Sequence, residues 1–142
     1  MKHLRRFESM EYIVDFPILK KIVPDGEWSF WHIINKIDTL SIIEKLLLDI
    51  EMHYRSIQRG EHIKHNMNAI DEKKKVINVI EGKSRSMKDI DEALKILEDG
   101  KNSHDLKWKR RYDRKWDITW LKVYDEWIDE VKKIKMEHSN QM

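Results

Sequence analysis

The sequence predicts an all-α fold: an irregular bundle of four to five helices with a long C-terminal helix and an extended N-terminal arm. Three observations support this prediction. Apolar residues recur every three or four positions along most of the chain after residue 40, which is the helical period. The chain contains only four glycines and two prolines. Gly60, Gly82 and Gly100 each follow a periodic stretch, where glycine commonly ends a helix.

Composition limits the domain organisation and the classes of function. A chain of 142 residues fits one domain, which we divide into an N-terminal arm (1–24) packed on a helical domain (25–142). The 28 basic and 26 acidic residues leave a net charge of +2, so binding to nucleic acid or anionic lipid would need a local patch. The absence of cysteine excludes disulfides, thiolate nucleophiles and thiolate metal ligands.

Targeting and membrane signals are weak throughout the chain. The first ten residues carry several charges and are followed by no apolar run of the kind found in secretory signals. The most apolar stretch, 42–50, is interrupted by charges and falls far short of the roughly 20 residues that span a bilayer. We therefore expect a cytoplasmic protein without a membrane partner.

The N-terminal arm contains Pro17 between two short apolar groups. Proline is excluded from a regular helix interior and favours an extended conformation in the residue before it, here Phe16. We therefore expect the segment 11–23 to form an extended arm or a short strand on the helices.

The central part of the chain is predicted to form helices on either side of a turn at Gly60. Asp25 is expected to cap a short helix that starts at Glu27, and Asp38 or Ser41 to cap its continuation. The first apolar stripe comprises Leu40, Ile43, Leu47, Ile50, Tyr54 and Ile57. The second comprises Ile63, Met67, Ile70, Ile77 and Ile80. The short turn predicts that these two helices are antiparallel neighbours.

The C-terminal third is predicted to contain a short helix and a long one. Ser86 is expected to cap a helix over 87–98, and Gly100, Asn102 and Ser103 to form the last loop. The long helix then runs from Asp105 to about Ile134. Its core face is predicted to comprise Trp116, Trp120, Val123, Tyr124, Trp127, Ile128, Val131 and Ile134.

The start of this long helix holds the basic aromatic segment, residues 107–116. Six basic residues and one acid are interleaved there with three aromatic residues. Trp108 and Tyr112 fall outside the predicted core face of the helix. The candidate binding residues are therefore Trp108, Lys109, Arg110, Arg111, Tyr112, Arg114 and Lys115.

Three interpretations of the basic aromatic segment remain open. Trp, Tyr and Arg are enriched at protein-binding hot spots, which favours docking on a partner protein or self-association. Cations that neutralise phosphates and aromatic rings that stack on bases would suit a nucleic-acid-binding module, which is the alternative. In the structural interpretation, the aromatic rings pack on neighbouring helices and the cations form a solvated face. The leading hypothesis is a non-enzymatic helical interaction protein.

Histidines and carboxylates cluster around the Gly60 turn. Asp49 and His53 are four residues apart, as are Glu61 and His65, and His62 lies beside them. Imidazole and carboxylate groups bind zinc, iron or manganese, so a metal-dependent activity with His53, His62 and His65 as candidate ligands is the third hypothesis. The chain has no phosphate-binding glycine loop, nucleophile elbow or His-Glu-x-x-His motif. We therefore expect no cofactor and find no support for an enzyme.

Two parts of the sequence resemble known proteins. The basic opening Met1–Met10, with its Phe7-Glu8 pair, resembles the openings of small uncharacterised accessory or virion proteins of tailed phages. The central Arg59-Gly60 pair is followed by His65, the segment Ile70–Ile80 and a later Trp-rich helix, and this order is similar to that of other small uncharacterised phage proteins. The resemblance implies a phage accessory or virion component, located in the host cytoplasm or the virion, and it implies no catalytic residue.

Overall fold

The computed structural model describes residues 16–24, 26, 29–110 and 115–140, without the side chains of Phe30 and residues 106–110. These residues form six α-helices and one 3₁₀ turn, and no strand occurs among them, which confirms the all-α prediction. The elements are α1 (Pro17–Ile22), α2 (Phe30–Lys36), the 3₁₀ turn (Ile37–Thr39), α3 (Ile42–Gln58), α4 (Ile63–Ile80), α5 (Met87–Arg110) and α6 (Lys115–Asn140).

The chain forms two compact units, Met1–Ile70 and Asp71–Met142, with the boundary inside α4. The division into an arm (1–24) and a helical domain (25–142) stays a prediction, since residues 1–15 lie outside the described part. No helix in the described part is both long enough and apolar enough to cross a membrane.

The prediction of an extended segment before Pro24 is wrong for Pro17–Ile22, which form helix α1. Pro17 is the first residue of this helix, where its missing N–H is no loss and its fixed φ suits the helix. Phe16 is also not extended: its φ of 44° and ψ of 61° place it in the left-handed region. The sequence rule against proline applies to a helix interior, whereas Pro17 starts a helix.

A buried carboxylate of α3 caps the start of α1. The backbone N–H groups of Ile18 and Leu19 donate to the two Glu51 carboxylate oxygens, each at 3.0 Å. Glu51 is only 4% exposed, so these bonds satisfy two N–H groups of the first helical turn that would otherwise lack partners. Burial raises the pKa of the Glu51 carboxyl above its ordinary value, and the two backbone hydrogen bonds oppose that rise.

Ser41 caps α3, which confirms one of the two caps predicted for this helix. Its hydroxyl accepts from the Glu44 N–H at 3.2 Å, while the Glu44 carboxylate accepts from the Ser41 N–H at 3.0 Å, which forms a capping box. Asp38, the other alternative, lies in the 3₁₀ turn. Helix α2 begins at Phe30, after Ser29, whereas the predicted start at Glu27 and its cap Asp25 lie outside the described residues.

The predicted apolar stripes of α3 and α4 are wrong at several positions. Leu47, which belongs to the predicted stripe, is 37% exposed, whereas the charged Asp49 is buried. Ile63 and Met67 at the start of α4 are also exposed, in contrast to Ile70. A single apolar stripe is expected for a helix with one packing partner. Helix α3 is instead buried over a wider face, because α1 also packs on it.

The end of α4 and the start of α5 are closed by polar side chains. The Arg85 guanidinium donates to the carbonyls of Val79 and Ile80 at 3.0 and 2.9 Å, so it satisfies acceptors left open at the C-terminus of α4. The Ser86 hydroxyl accepts from the Asp89 N–H at 3.1 Å, which confirms the predicted cap of α5.

The predicted loop at Gly100, Asn102 and Ser103 is wrong, because α5 continues through these residues to Arg110. Gly100 is instead a site of close approach to α6. A β-carbon at Gly100 would lie 2.6–2.7 Å from two ring carbons and the hydroxyl oxygen of Tyr124. Glycine is therefore required for packing here, and the expected single helix from Asp105 to Ile134 is replaced by two helices.

Helices α5 and α6 pack as an antiparallel hairpin. Asp91 pairs with Lys135, and Lys101 pairs with Asp125, so the residue numbers rise along one helix as they fall along the other. The core face predicted for α6 is confirmed: Trp120, Val123, Tyr124, Trp127, Ile128, Val131 and Ile134 are buried, and Trp116 is half-buried.

We expect Gly100→Ala to destabilise the second unit. Alanine favours a helix over glycine by about 1 kcal/mol, but its methyl group would displace the buried Tyr124 ring, and overpacking costs about 1–3 kcal/mol. Urea unfolding followed by circular dichroism measures the change. Asn102→Ala, at an exposed position of the same helix, is the control and should be neutral or slightly stabilising. A stabilising Gly100→Ala would contradict the close approach.

We expect the pH dependence of stability to change in Glu51→Gln. Because the folded-state pKa of Glu51 is raised, the folded state binds more protons than the unfolded state between the ordinary and the raised value. Protonation of Glu51 therefore contributes to stability at lower pH, and this contribution is lost as pH rises from the ordinary pKa through the raised one. The unfolding free energy of the wild type relative to Glu51→Gln should fall as pH rises, measured by urea unfolding from pH 4 to 7. Glu98→Gln, at an exposed position, is the control.

Candidate binding site at the tip of the C-terminal hairpin

The antiparallel pairing places the last turn of α5 and the first turn of α6 at the same end of the hairpin. The basic aromatic segment, 107–116, includes both of these turns. We call this end the hairpin tip. The basic aromatic segment therefore lies at the end of the hairpin where α5 stops and α6 starts.

The predicted binding residues fall into three groups by position. Trp108, Lys109 and Arg110 belong to the last turn of α5, and their side chains are outside the described part of the structure. Lys115 is the first residue of α6 and is exposed. Arg111, Tyr112 and Arg114 lie outside the described residues. Their role in binding therefore stays a prediction.

A histidine–aspartate pair joins the two helices next to the hairpin tip. His104 Nδ1 lies 2.9 Å from Asp117 Oδ1. The Asp117 side chain is 1% exposed and that of His104 is 20% exposed. A carboxylate accepts only, so Nδ1 is the protonated nitrogen and donates this bond. The pair links α5 to the first turn of α6, where an acidic side chain also suits the helix dipole.

Aromatic rings extend from this pair along the hairpin. The His104 ring is stacked on Trp120 at 6.4 Å between centroids and is tilted against Tyr124 at 5.5 Å. Trp116 contacts Trp120 edge-on at 5.8 Å, and Trp127 contacts both Trp120 and Tyr124. Four aromatic residues of α6 are therefore used in the hairpin itself. This arrangement agrees with the structural interpretation for that part of the helix.

The Tyr124 ring also receives a cation from α4. Lys73 Nζ lies 5.2 Å from the ring centroid, and Lys73 is only 5% exposed. A desolvated cation over a tyrosine face gains about 2 kcal/mol. Tyr124 thus contacts Lys73 on α4, Gly100 and His104 on α5, and Trp127 on α6. This ring connects the three helices of the second unit.

The charged pairs farther along the hairpin are exposed. Lys101 pairs with Asp125, and its hydrogen bond to this carboxylate raises the pKa of the Lys101 ammonium above the ordinary value. Exposed pairs of this kind contribute about 0–1 kcal/mol each. The buried His104–Asp117 pair is therefore the polar contact that most strongly determines the geometry beside the hairpin tip.

Sequence reasoning missed His104 and Asp117 as partners. They lie 13 residues apart on different helices, and the prediction of one continuous helix across this region separated them in space. A reversal of the chain between Asp105 and Trp116 would have brought them together. The only sequence signal for such a reversal was the pair of aromatic residues, Trp108 and Tyr112, that did not fit the core face.

The histidines proposed as metal ligands have other surroundings. His53 Nδ1 lies 2.7 Å from Asn66 Oδ1, and His53 Nε2 lies 3.5 Å from Asp49 Oδ2, so both ring nitrogens face oxygen atoms of the fold. His62 and His65 are exposed. Across residues 16–24, 26, 29–110 and 115–140, no three His, Asp or Glu side chains are grouped so as to hold a metal ion.

Comparison with known proteins returned no match: no protein-family model, no curated relative and no solved structure is similar to this chain. Only the residues of this chain therefore indicate what the hairpin tip binds.

We expect Asp117→Asn to destabilise the hairpin. The substitution keeps the side-chain volume but removes the charge from a buried hydrogen bond, and hydrogen bonds to charged groups contribute about 1.5–3 kcal/mol. Urea unfolding measures this loss. Asp125→Asn removes a carboxylate from the exposed pair with Lys101 on the same two helices and should cost less than about 1 kcal/mol. Equal effects of the two substitutions would contradict the importance of the buried pair.

Proposed function

We propose that this chain is a non-enzymatic binding protein whose hairpin tip docks on the acidic surface of a partner protein. The observation that supports this proposal best is the antiparallel pairing of α5 and α6, because it brings the two ends of the basic aromatic segment to one place. That segment contains six basic residues and one acid. A compact cluster of cations would complement a carboxylate-rich surface.

The apolar part of such a contact has two sources. Trp108 and Tyr112 are not part of the aromatic core face predicted for α6, and aromatic residues beside arginines are typical of binding hot spots. Ile118, in the first turn of α6, is 38% exposed close to the exposed Lys115. Cations surrounding a few apolar anchors match the composition of protein-binding surfaces.

A protein partner is favoured over nucleic acid by the overall charge. The net charge of +2 gives no broad positive field, whereas nucleic-acid-binding domains commonly carry a basic face. Acidic residues are also close to the hairpin tip in sequence, at Asp117 and Asp125. A small basic cluster with acidic neighbours suits a protein surface of mixed charge better than a continuous row of phosphates.

The resemblance of the opening residues to phage proteins supplies a setting for the proposal. A phage accessory or virion component would bind a host or virion protein, or a second copy of itself, through the hairpin tip. A contact by the N-terminal arm (1–24) would be a second contribution to the same assembly.

The docking proposal is tested by substitutions at the tip. Trp108→Ala with Tyr112→Ala should lower retention of co-purifying proteins at least about tenfold, because hot-spot aromatic residues carry about 2 kcal/mol or more each. The measurement is affinity purification from the source cells with quantitative mass spectrometry, together with analytical ultracentrifugation for self-association. Lys132→Gln with Lys133→Gln, at exposed positions far from the tip on α6, is the control.

Two results together would overturn the docking proposal. One is a monomer in ultracentrifugation at all concentrations. The other is an unchanged set of retained proteins in the double alanine variant, with circular dichroism showing that the variant is folded. If retention falls equally in the control variant, the loss is not specific to the hairpin tip.

The interleaving of cations with aromatic residues supports a second candidate function, single-stranded nucleic-acid binding at the same tip. If all six cations neutralise phosphates, the logarithm of affinity for an unstructured DNA oligonucleotide should fall with the logarithm of salt concentration with a slope of about −4. Arg110→Ala with Arg111→Ala should reduce that slope by about a third. A gel-shift series from about 50 to about 300 mM salt measures both. A salt-independent affinity would exclude this candidate.

A further inference from the structure

The first unit contains a groove between the end of α1 and one side of α2. Its volume is about 420 Å³, within the range of about 300–1,000 Å³ typical of small-ligand sites. The groove is lined by Ile22, Val23, Pro24, His32, Asn35 and Lys36. Three consecutive apolar residues thus face three polar ones, and the groove has an apolar and a polar side.

The apolar side is a fixed part of the first unit. Ile22 and Val23 are only 7% and 5% exposed, although both line the groove. The Val23 N–H donates to the Leu19 carbonyl at 2.8 Å, so the backbone here is held at the end of α1. The position of α1 depends in turn on the buried Glu51 cap. An aliphatic group in the groove would therefore meet a preformed surface.

The polar side consists of donors on one side of a single helix. His32, Asn35 and Lys36 are spaced at i, i+3 and i+4, which brings them to the same face of α2. Within the described residues, the side chains of Asn35 and Lys36 form no hydrogen bond or ion pair. The His32 ring is positioned by Ser29, whose Oγ lies 2.7 Å from His32 Nδ1.

We propose that this groove binds a small organic carboxylate with an aliphatic body, of the size of a medium-chain fatty acid. The aliphatic body lies on Ile22, Val23 and Pro24. The carboxylate accepts from the Lys36 ammonium and the Asn35 amide, and a bond to an ionised group is about twice as strong as a neutral one. Among the described residues that line the groove, none carries a carboxylate side chain.

The donor set favours a carboxylate over a phosphate. The part of the lining that the structure describes contains one ammonium group and no guanidinium, whereas recognition of a doubly charged phosphate commonly uses the paired donors of arginine. A single negative charge with two oxygen acceptors matches one cation and one neutral amide. The neighbouring apolar surface then selects a carboxylate that carries an alkyl chain over a small polar acid.

The proposal is tested with octanoate as the probe, below its micelle-forming concentration, and with octan-1-ol as the uncharged analogue. Calorimetry and ¹⁵N-resolved NMR titration of the whole chain should show one saturable octanoate site, with amide shifts at Ile22, Val23 and residues 32–36. Lys36→Met keeps an apolar side chain but removes the charge, and should weaken octanoate binding about fivefold. Octan-1-ol should bind the wild type and Lys36→Met equally.

The controls separate this groove from general surface binding. Lys64→Met removes an exposed lysine from α4 in the same unit and should leave octanoate affinity unchanged. Asn35→Trp places a large ring over the groove from an exposed position and should abolish binding of both probes. The proposal is overturned if no saturable site is found, if the shifts lie elsewhere, or if Lys36→Met and Asn35→Trp both bind octanoate as the wild type does.

Discussion

The close packing of Tyr124 against Gly100 is the contact on which the second unit depends. Without a β-carbon at Gly100, the tyrosine ring lies directly on the backbone of α5. In that position the ring also meets His104 and lies under the buried Lys73 cation. The short distance between α5 and α6 then allows the His104–Asp117 bond to form beside the hairpin tip. One absent methyl group thus determines the geometry that presents the basic aromatic segment.

The first unit uses a buried carboxylate for a comparable purpose. Glu51 accepts the N–H groups of Ile18 and Leu19, which holds a helix of only six residues that could not be stable alone. The raised pKa of Glu51 shows that burial opposes ionisation more than the two hydrogen bonds favour it. The hydrogen bonds that position α1 therefore require an energetically unfavourable burial of the Glu51 carboxylate. The end of α1 supplies the apolar side of the groove.

The sequence predicted features that depend on neighbouring residues. The capping box at Ser41, the cap at Ser86 and the core face of α6 all follow from residue type and helical spacing, and all three are present. The predictions were wrong where the packing partners are distant in sequence. Leu47 is exposed and Asp49 is buried because α3 is covered over a wide face, and the continuous helix predicted from Asp105 to Ile134 is instead divided between α5 and α6. Periodicity contains no information on which of several faces will be covered.

The amino-acid sequence by itself determined the all-α class, the caps and the concentration of cations and aromatic residues in the basic aromatic segment. These are local properties, set by side-chain type and by backbone geometry over a few residues. Only the tertiary structure decided that Pro17 begins a helix and that Gly100 lies inside one. Glycine imposes little local preference, and the fixed φ of proline is compatible with both the first residue of a helix and an extended segment. The choice at both positions was therefore made by distant partners, Glu51 for α1 and Tyr124 for α5.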